Sequence, residues 1–436
     1  MKKTIFHALL AMSLALLLAN CGGDDGDKKV SRPPSSGSSS ATDPDNDDSY
    51  NDVYPAANDT PYAAVLKRCA LAETIAELCD LNRLPLLGMD KPAPSVDDIM
   101  QRVLTSDPWM ATRFKQIISD APSEFRTLFK GLTAVVLDDD VRPAYYSSGT
   151  GAIYIDPAYL WVTNEEKKTI NVKQDYRSGF DDELQFVSTY RYVTASGARA
   201  ANWGSLTDDS NRTYADARFY LSRLLLHELA HVNDFIPYDS YDSINRNNTV
   251  LQAVSNMEEG TISDQLVSWR PLHSTIWDGL GKVMFQGETA TGAQKALTAE
   301  DVGLEFESDS AADDYAYSSQ YEDLAMLFEI AMMKKFFNLN YEQAFLTPTG
   351  TETYCNEYFI GWGAVGWIGD TDVKERAQFV TSALLPQLEM DMFYQDLPGP
   401  QYLTQGQDWC APPNGSGQQK IHAPEIVPPS DFYLPH

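Results

Sequence analysis

Positive charge is in short supply: 33 Lys and Arg stand against 62 Asp and Glu in 436 residues, a formal net charge of −29. A chain this acidic repels phosphate backbones and anionic bilayer faces, which argues against nucleic acid or a charged membrane surface as partner. Long apolar runs are also scarce. The stretch at residues 8–19 is too short to span a bilayer comfortably. No internal repeat and no phosphate-loop pattern is present. The glycine-rich GWGAVGWIGD at residues 361–370 follows no clear strand, and reads as tight packing around Trp362 and Trp367. There are only five cysteines and six histidines, so a pattern that uses two histidines together carries information.

What is present begins with an export layout. Residues 1–20 hold two lysines and then the short apolar run, as a signal peptide does. The LLANC that ends it resembles a bacterial lipobox, with Asn20 standing where a small residue is usual. That resemblance implies lipidation of Cys21 as the mature N-terminus and, with Gly22 rather than aspartate after it, anchorage at the outer membrane; the alternative is an ordinarily cleaved, secreted or periplasmic protein. Residues 21–60 are mostly Gly, Ser, Asp, Pro and Asn, too polar to offset the entropy of folding, and are expected to form a disordered acidic tether. The remaining roughly 375 residues suffice for one large domain or two ordinary ones. With Cys21 assigned to lipid, four cysteines remain. In an exported chain an even number favours disulfides, and nearness in sequence favours Cys69 with Cys79 and Cys355 with Cys410.

Apolar residues recur at three and four from Thr60 to Lys130, which predicts a helical N-terminal subdomain over 61–131, with Ser95 and Asp98 as a helix-start pair. The pattern then changes. LTAVVLDD, GTGAIYIDPAYLW and DELQFVSTYRYVTA read as strands. A long helix is expected from about 213 to 235, stopped near Pro237, with further helices at 249–268, 320–338 and 372–394. The segment after Gln395 is expected to wrap the surface. The fold class is therefore α+β, mainly helical, with a small strand region ahead of the 213–235 helix.

That helix carries LLLHELAHVNDF. Histidines four apart project from one helical face, one turn apart, the arrangement two imidazoles need to meet a single ion. Glu228, beside the first histidine, can reach a water on that ion and act as general base without being a ligand. The plain alternative is two histidines fallen together on a buried helix. Three polar groups on an apolar helix would then need other partners, at considerable cost, so the pattern points to zinc on His227 and His231. A third protein ligand is required, with the fourth position left for water.

The motif is similar to that of the zincin metallopeptidases, whose catalytic domains also place strands before the histidine-bearing helix. Metzincins continue with a glycine and a third histidine, where this chain has Asp234 and Pro237; that type is excluded. SSQYEDLAMLFEIAMM, at residues 318–333, resembles the second helix of gluzincins, which implies Glu322 as third ligand and Asp323 as a supporting acid or cap. The acid that gluzincins often carry four residues further on is Met326 here. A rival lies in GTISDQLVS, which partly resembles the aspzincin signature and nominates Asp264, although Val267 and Ser268 replace the tyrosine and glycine that end it; the pair Glu258 and Glu259 is weaker still. By resemblance to toxin-like gluzincins, Tyr315 and Tyr317 are candidate donors to a developing oxyanion, with Tyr321 and His273 behind them. Asp234, seven residues after His227, could orient a ligand histidine or simply solvate the helix end.

The resemblance implies a zincin-like metallopeptidase domain over 132–436, zinc as cofactor, and a peptide or protein substrate outside the cytoplasm. Two other classes stay open: a zinc hydrolase acting on cell-wall peptides, and a catalytically silent zincin-like surface-binding protein.

Overall fold

The computed structural model describes residues 52–172, 177, 179–350 and 355–410, without the Cys355 side chain. The expected signal peptide, Cys21 and most of the expected tether lie outside the described residues. Among the described residues no helix is long and apolar enough to cross a membrane. The architecture is mixed α and β, with helix outweighing strand.

Two sheets frame the molecule. The first has the order β1 (Tyr54–Pro55), β2 (Val103–Thr105), β3 (Ala134–Leu137), β5 (Ala152–Ile155), β4 (Tyr145–Ser147). Strands β2, β3 and β5 run parallel, and β1 and β4 close the edges antiparallel. Continuous apolar runs such as AVVL and AIYI suit parallel strands buried on both faces, and the period of two sorts them. Val103, Val135, Leu137, Ile153 and Ile155 face the main core, which they share with Leu224, Leu225 and Leu229 of the HELAH helix. Leu104, Ala134, Val136, Ala152 and Tyr154 face a smaller core with Leu66 and Cys69. The Cys69–Cys79 disulfide is formed beside that smaller core. The expected partnership of Cys355 with Cys410 involves a side chain outside the described residues.

Several expectations need revision. The helical reading of 61–131 meets a strand at Val103–Thr105, because VLT follows the short Val96–Met100 helix and pairs with β3. Order starts before residue 60: Val53 is buried and Tyr54–Pro55 pairs with β2, so the tether ends earlier than its composition implies. The helix expected at 249–268 is two, Val250–Ser255 and Ile262–Trp269, separated by Gly260 at φ +71. That at 372–394 is also two, Thr371–Leu384 and Asp391–Asp396, parted around Pro386, which cannot supply an interior helical N–H.

The second sheet is antiparallel: β6 (Val187–Val193), β7 (Asn340–Pro348), β8 (Tyr358–Val365) and β9 (Gln401–Tyr402). Strand β8 runs through the first part of GWGAVGWIGD, where a strand was not expected. Glycines on both sides of its contact with the Ala299–Glu307 helix answer a packing need: a Cβ on Gly361 of the strand would sit 2.5 Å from the Ala299 Cβ, and one on Gly303 of the helix would sit 2.1 Å from the Trp362 Cβ. The Ala299–Glu307 helix thus lies directly on this sheet, and Trp362 and Trp367 do pack together, with ring centroids 5.4 Å apart.

Candidate metal centre

The helix that carries HELAH spans Tyr214–Phe235. It starts at a capping box in which Thr213 and Asp216 satisfy one another's backbone N–H groups, and it stops at Phe235, two residues before Pro237. Its second half is buried all round, as befits a helix passing between other layers rather than over a surface. The second site helix, Gln320–Phe337, starts on Ser319, whose hydroxyl accepts the Glu322 N–H, and ends where Asn338 adopts the left-handed conformation.

These two helices bring together residues some 95 positions apart. His227 Nε2 lies 2.9 Å from Glu322 Oε2, and His231 Nε2 lies 3.7 Å from the same oxygen. Donor atoms of His227, His231 and Glu322 all fall within 4.8 Å of one another, and among the described residues this is the one such group. The residue types and spacing suit zinc. Ligand atoms about 2.0–2.1 Å from a tetrahedral zinc stand roughly 3.3 Å apart, and the observed 2.9 and 3.7 Å lie on either side of that value.

All of this is dry. His227, Glu228 and His231 are 0% exposed and Glu322 is 1% exposed. Burial disfavours charge on His227, but the Glu322 carboxylate hydrogen-bonded to Nε2 and the Glu329 carboxylate near Nδ1 outweigh it and raise its pKa to about 10. A carboxylate therefore faces each ring nitrogen, Glu322 at Nε2 and Glu329 at Nδ1.

The other candidates fall elsewhere. Asp264 closes the capping box of its own helix with Thr261 and accepts a hydrogen bond from Gln320 Nε2 at 2.8 Å; it is not part of the convergent group. Glu258 and Glu259 are exposed. Asp323 is buried against Arg376, whose guanidinium also reaches the Ser310 carbonyl, so this acid anchors the start of the Glu322 helix. Tyr315 is at the site, but its hydroxyl donates to Glu322 Oε1 at 3.0 Å, which leaves Oε2 facing the histidines. Tyr317 donates to Asp309 Oδ2 at 3.0 Å and stacks on Trp277. Tyr321 stacks on Phe235, and His273 is exposed.

Asp234 does not orient a histidine through any contact seen here. Its Oδ1 accepts the Ser263 N–H at 2.7 Å, and burial raises its pKa to about 7. The acid that meets the other ring nitrogen of His227 is Glu329, whose Oε2 lies 3.3 Å from Nδ1. Nothing in the sequence reading singled it out. The available signal was its position seven residues after Glu322, hence on the same helical face.

No protein-family model matches the chain, and neither the curated proteins nor the solved structures contain a significant match to it.

Proposed function

We propose that the protein is a zinc-dependent hydrolase, most simply a peptidase of gluzincin type acting outside the cytoplasm, with zinc held by His227, His231 and Glu322. The observation that carries this reading is the convergence of two imidazoles four residues apart with one carboxylate from a distant helix, next to a buried glutamate. Zinc bound there supplies a Lewis acid toward water and a scissile carbonyl. Glu228 takes a proton from the attacking water on its carboxylate and delivers it to the leaving amine. Tyr315 holds Glu322 through Oε1, and reaches an oxyanion only by giving up that hydrogen bond. The buried surroundings strengthen each of these interactions.

One observation favours a second reading. A catalytic zinc keeps a position open, whereas structural sites are closed, and the four residues here are enclosed. A catalytically silent, surface-binding protein with a structural zinc fits that enclosure. The two readings separate in one experiment. The zinc-loaded chain is assayed against unstructured protein, a fluorogenic peptide mixture and cell-wall peptides. Hydrolysis that a chelator abolishes and added zinc restores supports the enzyme, and the substrate cleaved distinguishes a general peptidase from a cell-wall hydrolase. Bound zinc with no hydrolysis of any substrate favours the silent reading.

A further inference from the structure

Arg223, His227 and His231 recur every four residues on one helix, and Glu322 and Glu329 lie seven apart on the other. The contacts interleave them. Glu322 meets His227 at 2.9 Å and His231 at 3.7 Å; Glu329 meets His227 at 3.3 Å and Arg223 Nε at 2.8 Å. The two helices therefore run antiparallel, and His227 sits between two carboxylates with Glu322 on Nε2 and Glu329 on Nδ1.

From this arrangement we infer that Glu329 is the positioning residue of the metal centre: it holds His227 as an Nε2 ligand by accepting the proton on Nδ1, and Arg223 and Tyr192 hold Glu329 in place. The inference rests on the zinc reading above. A neutral imidazole carries one N–H, and the nitrogen without it is the one that can bind a metal. With zinc in place, an acceptor fixed 3.3 Å from Nδ1 favours the tautomer with its N–H there, which frees Nε2, here hydrogen-bonded to Glu322, for the metal. The acceptor must itself be immobile to do this. Glu329 Oε1 receives hydrogen bonds from Arg223 Nε at 2.8 Å and from the Tyr192 hydroxyl at 2.7 Å, which leaves Oε2 for His227. Glu329 and Arg223 are 0% and 1% exposed, so neither exchanges these partners for water.

The charges agree with this role. Arg223 compensates Glu329, so the oriented carboxylate contributes a directed acceptor with little net charge of its own, and Glu322 remains the charged ligand. Tyr192 belongs to β6, so the second sheet takes part in fixing the ligand histidine. Met326, four residues after Glu322, is apolar and buried.

The test is zinc affinity by competition with a chromophoric chelator, together with thermal unfolding of the zinc-free protein, for wild type, Glu329→Gln and Asp234→Asn. Orienting partners of metal-ligating histidines are worth about 10- to 100-fold in metal affinity. Glu329→Gln is expected to lose affinity by that factor, while Asp234→Asn binds as wild type. In the cobalt-substituted proteins, the visible absorption bands of Glu329→Gln are expected to shift from those of wild type, reporting a moved ligand that a merely structural role would leave alone. Glu329→Gln that unfolds earlier yet keeps wild-type zinc affinity and an unshifted cobalt spectrum overturns the assignment. A wild type that binds no zinc overturns the underlying reading instead, so the two failures are distinguishable.

Discussion

Replacing Glu228 with Gln is expected to lower kcat by about 10²- to 10⁴-fold, the usual contribution of a positioned general base, with zinc retained. The substitution keeps the shape of a side chain that is 0% exposed, so packing around it is conserved. What changes is the ability to accept a proton. The carboxamide cannot take one from the attacking water, nor return one to the leaving amine. Metal content should be unaffected, because Glu228 neighbours the first ligand on the helix without belonging to the convergent group. Steady-state kinetics on the substrate found for the wild type, with elemental analysis of the same samples, checks both halves. Wild-type rates in Glu228→Gln would mean that the base is another residue or that the hydrolysis comes from a contaminant.

The second large effect is on stability. Arg223→Ala is expected to destabilise the zinc-free protein by about 3–5 kcal/mol, the usual cost of removing one partner of a buried ion pair. Arg223 is 1% exposed and Glu329 0%, so water cannot take over the lost contacts. Arg270 gives the comparison. It pairs with Asp372 and Glu375 at the surface, with its own side chain 35% exposed, and Arg270→Ala is expected to cost no more than about 1 kcal/mol. Denaturant unfolding of both variants measures the difference. The double variant Arg223→Met with Glu329→Leu should regain part of the loss, since no buried charge is then left alone. Equal, small effects from Arg223→Ala and Arg270→Ala would show that the buried pair contributes little.

Much of the site was legible because local rules agree with the fold. The HELAH helix runs as Thr213 and Pro237 indicate, and the Gln320–Phe337 helix matches its apolar period closely. Glu322 could be nominated only by likeness to a motif; its meeting with His227 depends on how two helices pack across some 95 residues, which no local pattern encodes. Asp264 shows the reverse case. Thr261 and Asp264 form a visible capping box, and that explains the acid without any metal. Glu329 was missed because a glutamate on a helical face is usually solvated, and its burial depends on Arg223 and Tyr192 from other elements. Strand β8 was missed because glycine weakens the strand signal, although here Gly361 and Gly363 allow close approach of neighbouring segments. The early end of the tether was also hidden, since Val53 and the strand at Tyr54–Pro55 follow a long polar run.

Whether zinc is held by His227, His231 and Glu322 is read from elemental analysis of the purified wild type beside Glu322→Ala and Asp264→Ala. About one zinc per chain is expected in wild type and in Asp264→Ala, and almost none in Glu322→Ala. A well-folded wild type that contains no zinc and does not take it up when it is added would mean that these residues form no zinc site.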